Sequence, residues 1–199
     1  MAYTSWSVVY GEQPSAAKWN ILGTNDASFN NGTGFSNGAI GSVNASLAAG
    51  IVCQVVNTVS TAVNTGTTTI PLDDTIPQIT EGTEFMTLAI TPKSATNILV
   101  IAVTLLLSSS NATQNLIGAL FQDSTANALA VDATFQATAM GLTTVQLQHT
   151  MTAGTTSSTT FRVRAGTHQA TTITINGQSG GRLFGATTKS SIVITEYKV

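Results

Sequence analysis

The fold is decided by the stretch Ile98-Leu-Val-Ile-Ala-Val-Thr-Leu-Leu-Leu107, an apolar run with a single threonine inside it. A strand of this composition has apolar side chains on both faces, because successive side chains of a strand point to opposite sides. In a two-sheet sandwich, each strand normally turns one face to the core and the other to solvent. The C-terminal stretch Ser190–Val199 shows the same two-sided pattern. We therefore expect both strands to be covered on both faces.

The rest of residues 50–199 is predicted as a series of short strands separated by turns that contain Gly, Asn and Ser. Thr143–Met151 and Thr160–Ala165 both alternate, and each has one apolar face. Ile51–Val56 contains the only cysteine, Cys53, and is predicted as a buried run with an inert thiol. Strands at this spacing are typical of an all-β sandwich or barrel.

Residues 1–48 differ in composition from the part that follows them. Pro14 is expected to open one short helix, Ser15–Leu22, which ends at Gly23. The stretch after this helix is rich in Gly, Asn and Ser, which indicates irregular structure. Such a segment cannot form a core alone, and we expect it to order against neighbouring chains or another protein. Its aromatic side chains are the candidate docking residues: Trp6, Trp19, Phe29 and Phe35.

The two-sided strands need a cover, and no helix is predicted in residues 50–199 to supply it. An identical subunit is the simplest cover, and a closed ring is favoured over an open fibre. Charged residues make up only 8 % of the chain, against about 25 % in average soluble domains, which suits a surface buried against copies of itself. The candidate interface residues are the apolar positions Val100, Ala102, Leu106, Val193, Tyr197 and Val199.

Three stretches resemble parts of known virion proteins. Thr69–Asn97, TIPLDDTIPQITEGTEFMTLAITPKSATN, resembles the opening of a jelly-roll module found in tail fibre, tail tip and head spike proteins of tailed bacteriophages. Ser190–Glu196 is similar to the last strand of that module, and Gly11–Phe29 resembles a lead segment of phage virion proteins. The resemblance implies a homotrimer with a jelly roll like that of C1q and tumour necrosis factor at 50–199, preceded by an attachment segment at 1–48.

The sequence gives little support for catalysis. A hydrolytic triad needs an imidazole base, and only His149 and His168 are present. The 9 acidic residues lie mostly in predicted turns and do not indicate the carboxylate pair of a glycosidase. We expect neither enzymatic activity nor a cofactor.

Metal, nucleic-acid and membrane binding are also disfavoured. A histidine near a threefold axis could hold an ion, but packing is the favoured role for His149 and His168. Asp73 and Asp74 fall far short of the roughly 6–8 oxygens of a calcium site, and a solvated turn is expected there. A net charge of -2 argues against a basic surface for nucleic acid. The longest apolar run is well below the ~20 residues of a membrane-spanning helix.

Together with these observations, the resemblance implies a protein of the virion, built as a short trimeric fibre or spike. Residues 1–48 would attach it to another virion protein, and 50–199 would contact a glycan or protein of the host surface. Ser108–Gln114 and Ala153–Thr159 are the candidate sugar-binding loops, and three weak sites per trimer would gain strength through avidity. One alternative is a capsid decoration protein. Another is a secreted carbohydrate-binding or cytokine-like module, which is disfavoured because Met1–Tyr10 does not resemble a signal peptide.

Overall fold

Residues 50–199 are described by the structure, a computed structural model, and they form an antiparallel β-sandwich. The predicted attachment segment 1–48 and its helix Ser15–Leu22 lie outside the described residues. The boundary between the two predicted domains therefore stays a prediction. The same holds for the four candidate docking residues, Trp6, Trp19, Phe29 and Phe35.

The regular secondary structure of the described residues is almost entirely β-strand. The long strands are β1 (Val52–Ser60), β3 (Thr83–Ile90), β4 (Ile98–Ser109), β5 (Gln114–Gln122), β6 (Ala130–Gln136), β7 (Thr143–Thr152), β8 (Thr159–Thr167) and β12 (Ser190–Tyr197). The short elements are β2 (Asn64–Gly66), β9 (Ile173–Ile175), β10 (Gly177–Gln178), β11 (Gly181–Arg182) and a 3-10 turn at Phe184–Ala186.

The long strands form two sheets that pack face to face. The first sheet has the order β1-β12-β4-β7, and β9 and β2 continue it beyond the end of β4. The second sheet has the order β3-β8-β5-β6. All of these neighbours pair antiparallel. The architecture confirms the predicted all-β jelly-roll sandwich.

The core lies between the two sheets and follows the predicted alternation. On β4 the inward side chains, among them Leu99 and Leu105, are fully buried, whereas the residues between them are more exposed. Phe161 and Val163 of β8 are buried on the opposite sheet, as their alternation predicts. Large apolar side chains that meet in this way supply most of the folding free energy of a sandwich.

The second sheet is also covered on its outer face, by a strap of the chain itself. This strap, residues 67–82, joins β2 to β3 and packs Ile70 onto a second apolar cluster that contains Ile117, Ala119 and Phe121 of β5. Ile70 donates its amide hydrogen to Thr167 O at 3.1 Å, which ties the strap to β8. The expectation that residues 50–199 have no spare element to cover a sheet is therefore wrong for this sheet, since an irregular strap serves instead of a helix.

The predicted buried run Ile51–Val56 is a half-exposed edge strand instead. Among the described residues β1 pairs with β12 alone, and its register shifts between Val52 and Gln54. Cys53 lies at this bulge and is exposed, which corrects the prediction of a buried thiol. A bulge breaks the alternation of side chains, and this is why the sequence pattern was misleading here.

Candidate interaction surface

The outer face of the first sheet carries no charged side chain at the positions that β1, β12, β4 and β7 turn outward. The strand register places these positions in rows across the sheet, for example Asn57, Val193, Ala102 and Gln148. We call this surface the uncharged face. Its residues are Val52, Val55, Asn57, Val59, Tyr197, Thr195, Val193, Ser191, Ile98, Val100, Ala102, Thr104, Leu106, Thr152, Thr150, Gln148, Gln146 and Thr144.

The apolar part of this face lies towards β1, and the amide and hydroxyl part lies on β7. Val52, Val55 and Val59 of β1 are 46 %, 52 % and 52 % exposed. Large apolar side chains are seldom left exposed side by side on a monomer, and a group of them usually marks an interaction surface. The uncharged face is therefore the strongest candidate for a contact with another chain.

The structure brings most of the predicted interface residues together on this face. Val193 pairs with Ala102 in neighbouring strands, and Thr195 pairs with Val100 in the adjacent row. Val199 does not join them, because β12 ends at Tyr197. The predicted set is thus Val100, Ala102, Leu106, Val193 and Tyr197 on one face, with Val199 beyond the strand. The three exposed valines of β1 were missed because the bulge at Cys53 hid their alternation.

A buried carboxylate, Glu196, fixes the edge of the same sheet from the inside. It is fully buried and accepts hydrogen bonds from Asn97 Nδ2 and Gln54 Nε2, both at 2.5 Å, and from the amide of Lys93 at 2.8 Å. Burial raises the pKa of the Glu196 carboxyl, but the hydrogen bonds, including one from the Ser94 amide, outweigh it and leave the pKa below its ordinary value. Glu196 is thus an ionised structural pin that ties β12 to β1 and to the β3–β4 loop.

The two predicted sugar-binding loops lie at opposite ends of the sandwich. β4 and β7 are antiparallel, so that Ser108–Gln114 and Ala153–Thr159, which each follow the end of one of them, point in opposite directions. The first loop is also tied to β6, since Gln136 Nε2 donates to Asn111 O at 3.0 Å. The two loops therefore cannot form one sugar-binding site together.

The two histidines have different surroundings. His149 lies on the inward face of β7 beside Ile101, and burial lowers its pKa. His168 follows β8, and its Nδ1 accepts a hydrogen bond of 3.2 Å from the Asn115 amide. Within residues 50–199, no three His, Cys, Asp or Glu side chains converge as a metal-binding group. No helix of that region is long and apolar enough to cross a membrane.

The acidic pair of the strap lies beside an open cleft of about 350 Å³ between the strap and β6. Asp73 Oδ1 accepts hydrogen bonds from the Thr75 hydroxyl at 2.6 Å and the Thr75 amide at 2.9 Å, and these bonds lower the pKa of Asp73. Asp73 and Asp74 are both exposed, as expected for a solvated turn. The bonds within the turn give Asp73 a local structural role.

The sequence of the β-domain matches a known protein family. The model of the Pgp3 C-terminal domain family matches residues 64–199, which is most of the chain. The chain belongs to this family. The match covers the sandwich from β2 to its C-terminus and does not test the bacteriophage origin that the sequence resemblance implies. No curated protein matches the chain.

The similarity to solved structures is weak. The EclA C-terminal domain, described as a sugar-binding protein, is 15 % identical over 60 % of this chain and 77 % of its own length, with a TM-score of 0.34. The VP2 subviral particle of infectious bursal disease virus is 12 % identical over 73 % of this chain, with a TM-score of 0.34. The structure of the Gx strain of that virus is 15 % identical, with a TM-score of 0.33. This chain spans 38 % of each viral chain.

Proposed function

We propose that this chain is a structural, adhesion-type β-domain that works as a homotrimer and acts by binding rather than by catalysis. The observation that carries the proposal is the uncharged face, in which exposed valines of β1 adjoin the apolar outward positions of β12 and β4. A second copy that covers this face would remove apolar surface from water at little desolvation cost, because the face carries no charge. A threefold ring would close the assembly.

The oligomeric state tests the proposal directly. Static light scattering of the full chain at micromolar concentration should give the mass of a trimer. Ala102→Lys places a charge in the middle of the uncharged face and should lower the mass to that of a single chain. Ala89→Lys is the matched control, because Ala89 is also an exposed alanine, on β3 of the other sheet, and it should keep the trimer. A single-chain mass for the unaltered protein would contradict the proposal.

The proposed location of the trimer rests on the predicted attachment segment and on the resemblance to phage proteins. We place the trimer on a virion, that of a tailed bacteriophage, with residues 1–48 docked on another virion protein and residues 50–199 turned to the host surface. A chain that lacks 1–48 should still form trimers but no longer join particles. Normal incorporation of the truncated trimers would contradict this assignment.

Copy number separates an adhesion role from capsid decoration. A short fibre or spike is present in far fewer copies than the major capsid protein, whereas a decoration protein approaches its number. Quantitative mass spectrometry of purified particles gives this ratio. A ratio near that of the capsid protein would replace host adhesion by stabilisation of the head.

A further inference from the structure

A small group of residues on the outer face of the second sheet lies beyond the reach of the strap. Phe135 of β6 pairs with Asn115 of β5, and Asn115 in turn lies next to His168, which follows β8. The strap covers the neighbouring row, where Ile117 is buried and where Ile70 and Thr68 lie against Gly166. The row with the phenylalanine therefore forms a shelf beside the strap. We call Phe135, Asn115 and His168 the shelf residues.

The shelf presents an aromatic ring to solvent. Phe135 is 58 % exposed although it lies in a regular strand with a partner strand beside it. Directly opposite residues of an antiparallel pair have Cβ atoms about 4.5–5.5 Å apart, so the side chains of Asn115 and Phe135 start next to each other. Two strand spacings, about 10 Å, separate Phe135 from His168.

Hydrogen bonding fixes which groups the shelf offers. His168 Nδ1 accepts the hydrogen of the Asn115 amide, so in the neutral ring the remaining hydrogen lies on Nε2, which is then a donor. The side chain of Asn115 offers one carbonyl oxygen and two N–H donors. Among the described residues, neither His168 Nε2 nor the Asn115 side-chain amide has a hydrogen-bond partner in the protein. The shelf thus combines one apolar ring with donors and an acceptor, and it carries no carboxylate, ammonium or guanidinium group.

This combination matches one class of ligand. A pyranose ring has a face of C–H groups that stacks on an aromatic ring, and its rim of hydroxyls both donates and accepts hydrogen bonds. A charged ligand would find no counter-charge in this row, and a purely apolar ligand would leave the amide and imidazole without partners. We infer that Phe135, Asn115 and His168 form a binding site for a neutral sugar, in which the sugar stacks on Phe135 and its hydroxyls bond to Asn115 and His168. This inference rests on the proposed adhesion function and names the ligand and the site.

Saturation-transfer NMR on the full chain tests the site, with methyl α-mannopyranoside, methyl β-galactopyranoside and methyl β-N-acetylglucosaminide as probes. At least one probe should bind at millimolar concentration and receive its strongest saturation on ring C–H protons. Phe135→Ala should weaken that binding at least about tenfold, because the stacking surface is lost. Phe184→Ala is the matched control, since Phe184 is 72 % exposed in the 3-10 turn, and it should leave binding unchanged.

A second pair of variants tests the polar half of the shelf. Asn115→Ala should weaken binding severalfold while the melting temperature stays within the range of the control. His168→Gln retains a side-chain donor and should bind better than His168→Ala. Equal binding by both His168 variants and the unaltered protein would contradict the role assigned to the imidazole.

The other outcomes separate this inference from the proposed function. Unchanged sugar binding in Phe135→Ala would overturn the site and leave trimeric adhesion intact. The absence of binding by all three probes, with the trimer mass unchanged, would overturn the sugar ligand alone. A lower mass for Phe135→Ala would identify the ring as a subunit contact and would also overturn the site. Failure of the trimer itself is read from light scattering, which needs no sugar.

Discussion

The outer faces of both sheets carry apolar residues, but these residues are covered in different ways. The second sheet has apolar outward residues on β5, and the strap covers them within the chain, which leaves Ile117 and Phe121 2 % and 0 % exposed. The first sheet has apolar outward residues on β1, β12 and β4, and Val55 and Val59 of β1 stay half exposed. Outward apolar residues therefore do not by themselves require a partner. They demand one only where the chain supplies no cover.

The largest loss of stability is expected where the strap packs on the second sheet. Phe121→Ala removes a fully buried ring from beneath the strap and should lower the free energy of unfolding by about 3–5 kcal/mol. Urea unfolding at one fixed protein concentration measures the loss. Phe184→Ala, an exposed ring, should change it by less than about 0.5 kcal/mol. Equal losses for the two variants would mean that the strap does not shield the second sheet.

A smaller loss of stability is expected when the buried carboxylate of Glu196, in the first sheet, is replaced. Glu196→Gln keeps the shape but replaces a carboxylate oxygen by an amide that faces the donors of Asn97, Gln54 and Lys93. The free energy of unfolding at neutral pH should fall by about 1.5–3 kcal/mol. Asp74→Asn, at an exposed carboxylate of the strap, should have a negligible effect and serves as the control.

The contribution of Glu196 to the free energy of unfolding depends on pH in a definite direction. The pKa of Glu196 is lower in the folded chain than its ordinary value of 4.5, so the folded state binds fewer protons there than the unfolded state. The contribution is fully present above pH 4.5 and is lost as the pH falls through the lower, folded value. The gap in stability between the unaltered protein and Glu196→Gln should therefore narrow on acidification below the ordinary value. A gap independent of pH would contradict an ionised pin.

The sequence predicted what depends on strict alternation and missed what breaks it. The inward faces of β7 and β8 were correct, because a period of two assigns each side chain to a face without any tertiary information. Glu196 was missed because a carboxylate in a strand normally faces solvent. Its donors come from Gln54 of β1 and from the loop Lys93–Asn97, which are both far from it in sequence. The two-sided burial of β5 was also missed, because Gly118 and Ala119 make its run look less apolar than that of β4.

The strap itself could not be recognised as a cover from its residues. Its prolines and Asp73 are typical of a turn, and nothing periodic in residues 67–82 indicates which surface it covers. The uncharged face was found in part, because β4 and β12 each showed the two-sided pattern. The shelf was not found, because Phe135, Asn115 and His168 are far apart in sequence and meet only through strand pairing.

A moderate loss of stability is expected at Gly166, where the strap lies against the second sheet. A Cβ on Gly166 would lie 2.6 Å from Thr68 O and 3.1 Å from the nearest carbon of Ile70. Gly166→Ala should therefore push the strap outward and cost about 1–2 kcal/mol. Hydrogen exchange should show the Ile70 amide, bonded to Thr167 O, exchanging faster, while the amide of Ile194 in β12 is unchanged. Equal acceleration at both amides would indicate general destabilisation rather than a lifted strap.

The smallest change in the stability of the single chain is expected on the uncharged face of the first sheet. Val55→Thr replaces a side chain that is 52 % exposed and should change the unfolding free energy of the dissociated chain by less than about 0.5 kcal/mol. In a trimer the unfolding midpoint rises with protein concentration, because association stabilises the folded state by mass action. A polar group at a covered position should reduce that rise, while Thr87→Val on the outer face of β3 should not. If Val55→Thr instead destabilises the chain equally at every concentration, Val55 is covered within the chain, and the two sheets then do not differ in the way that this comparison requires.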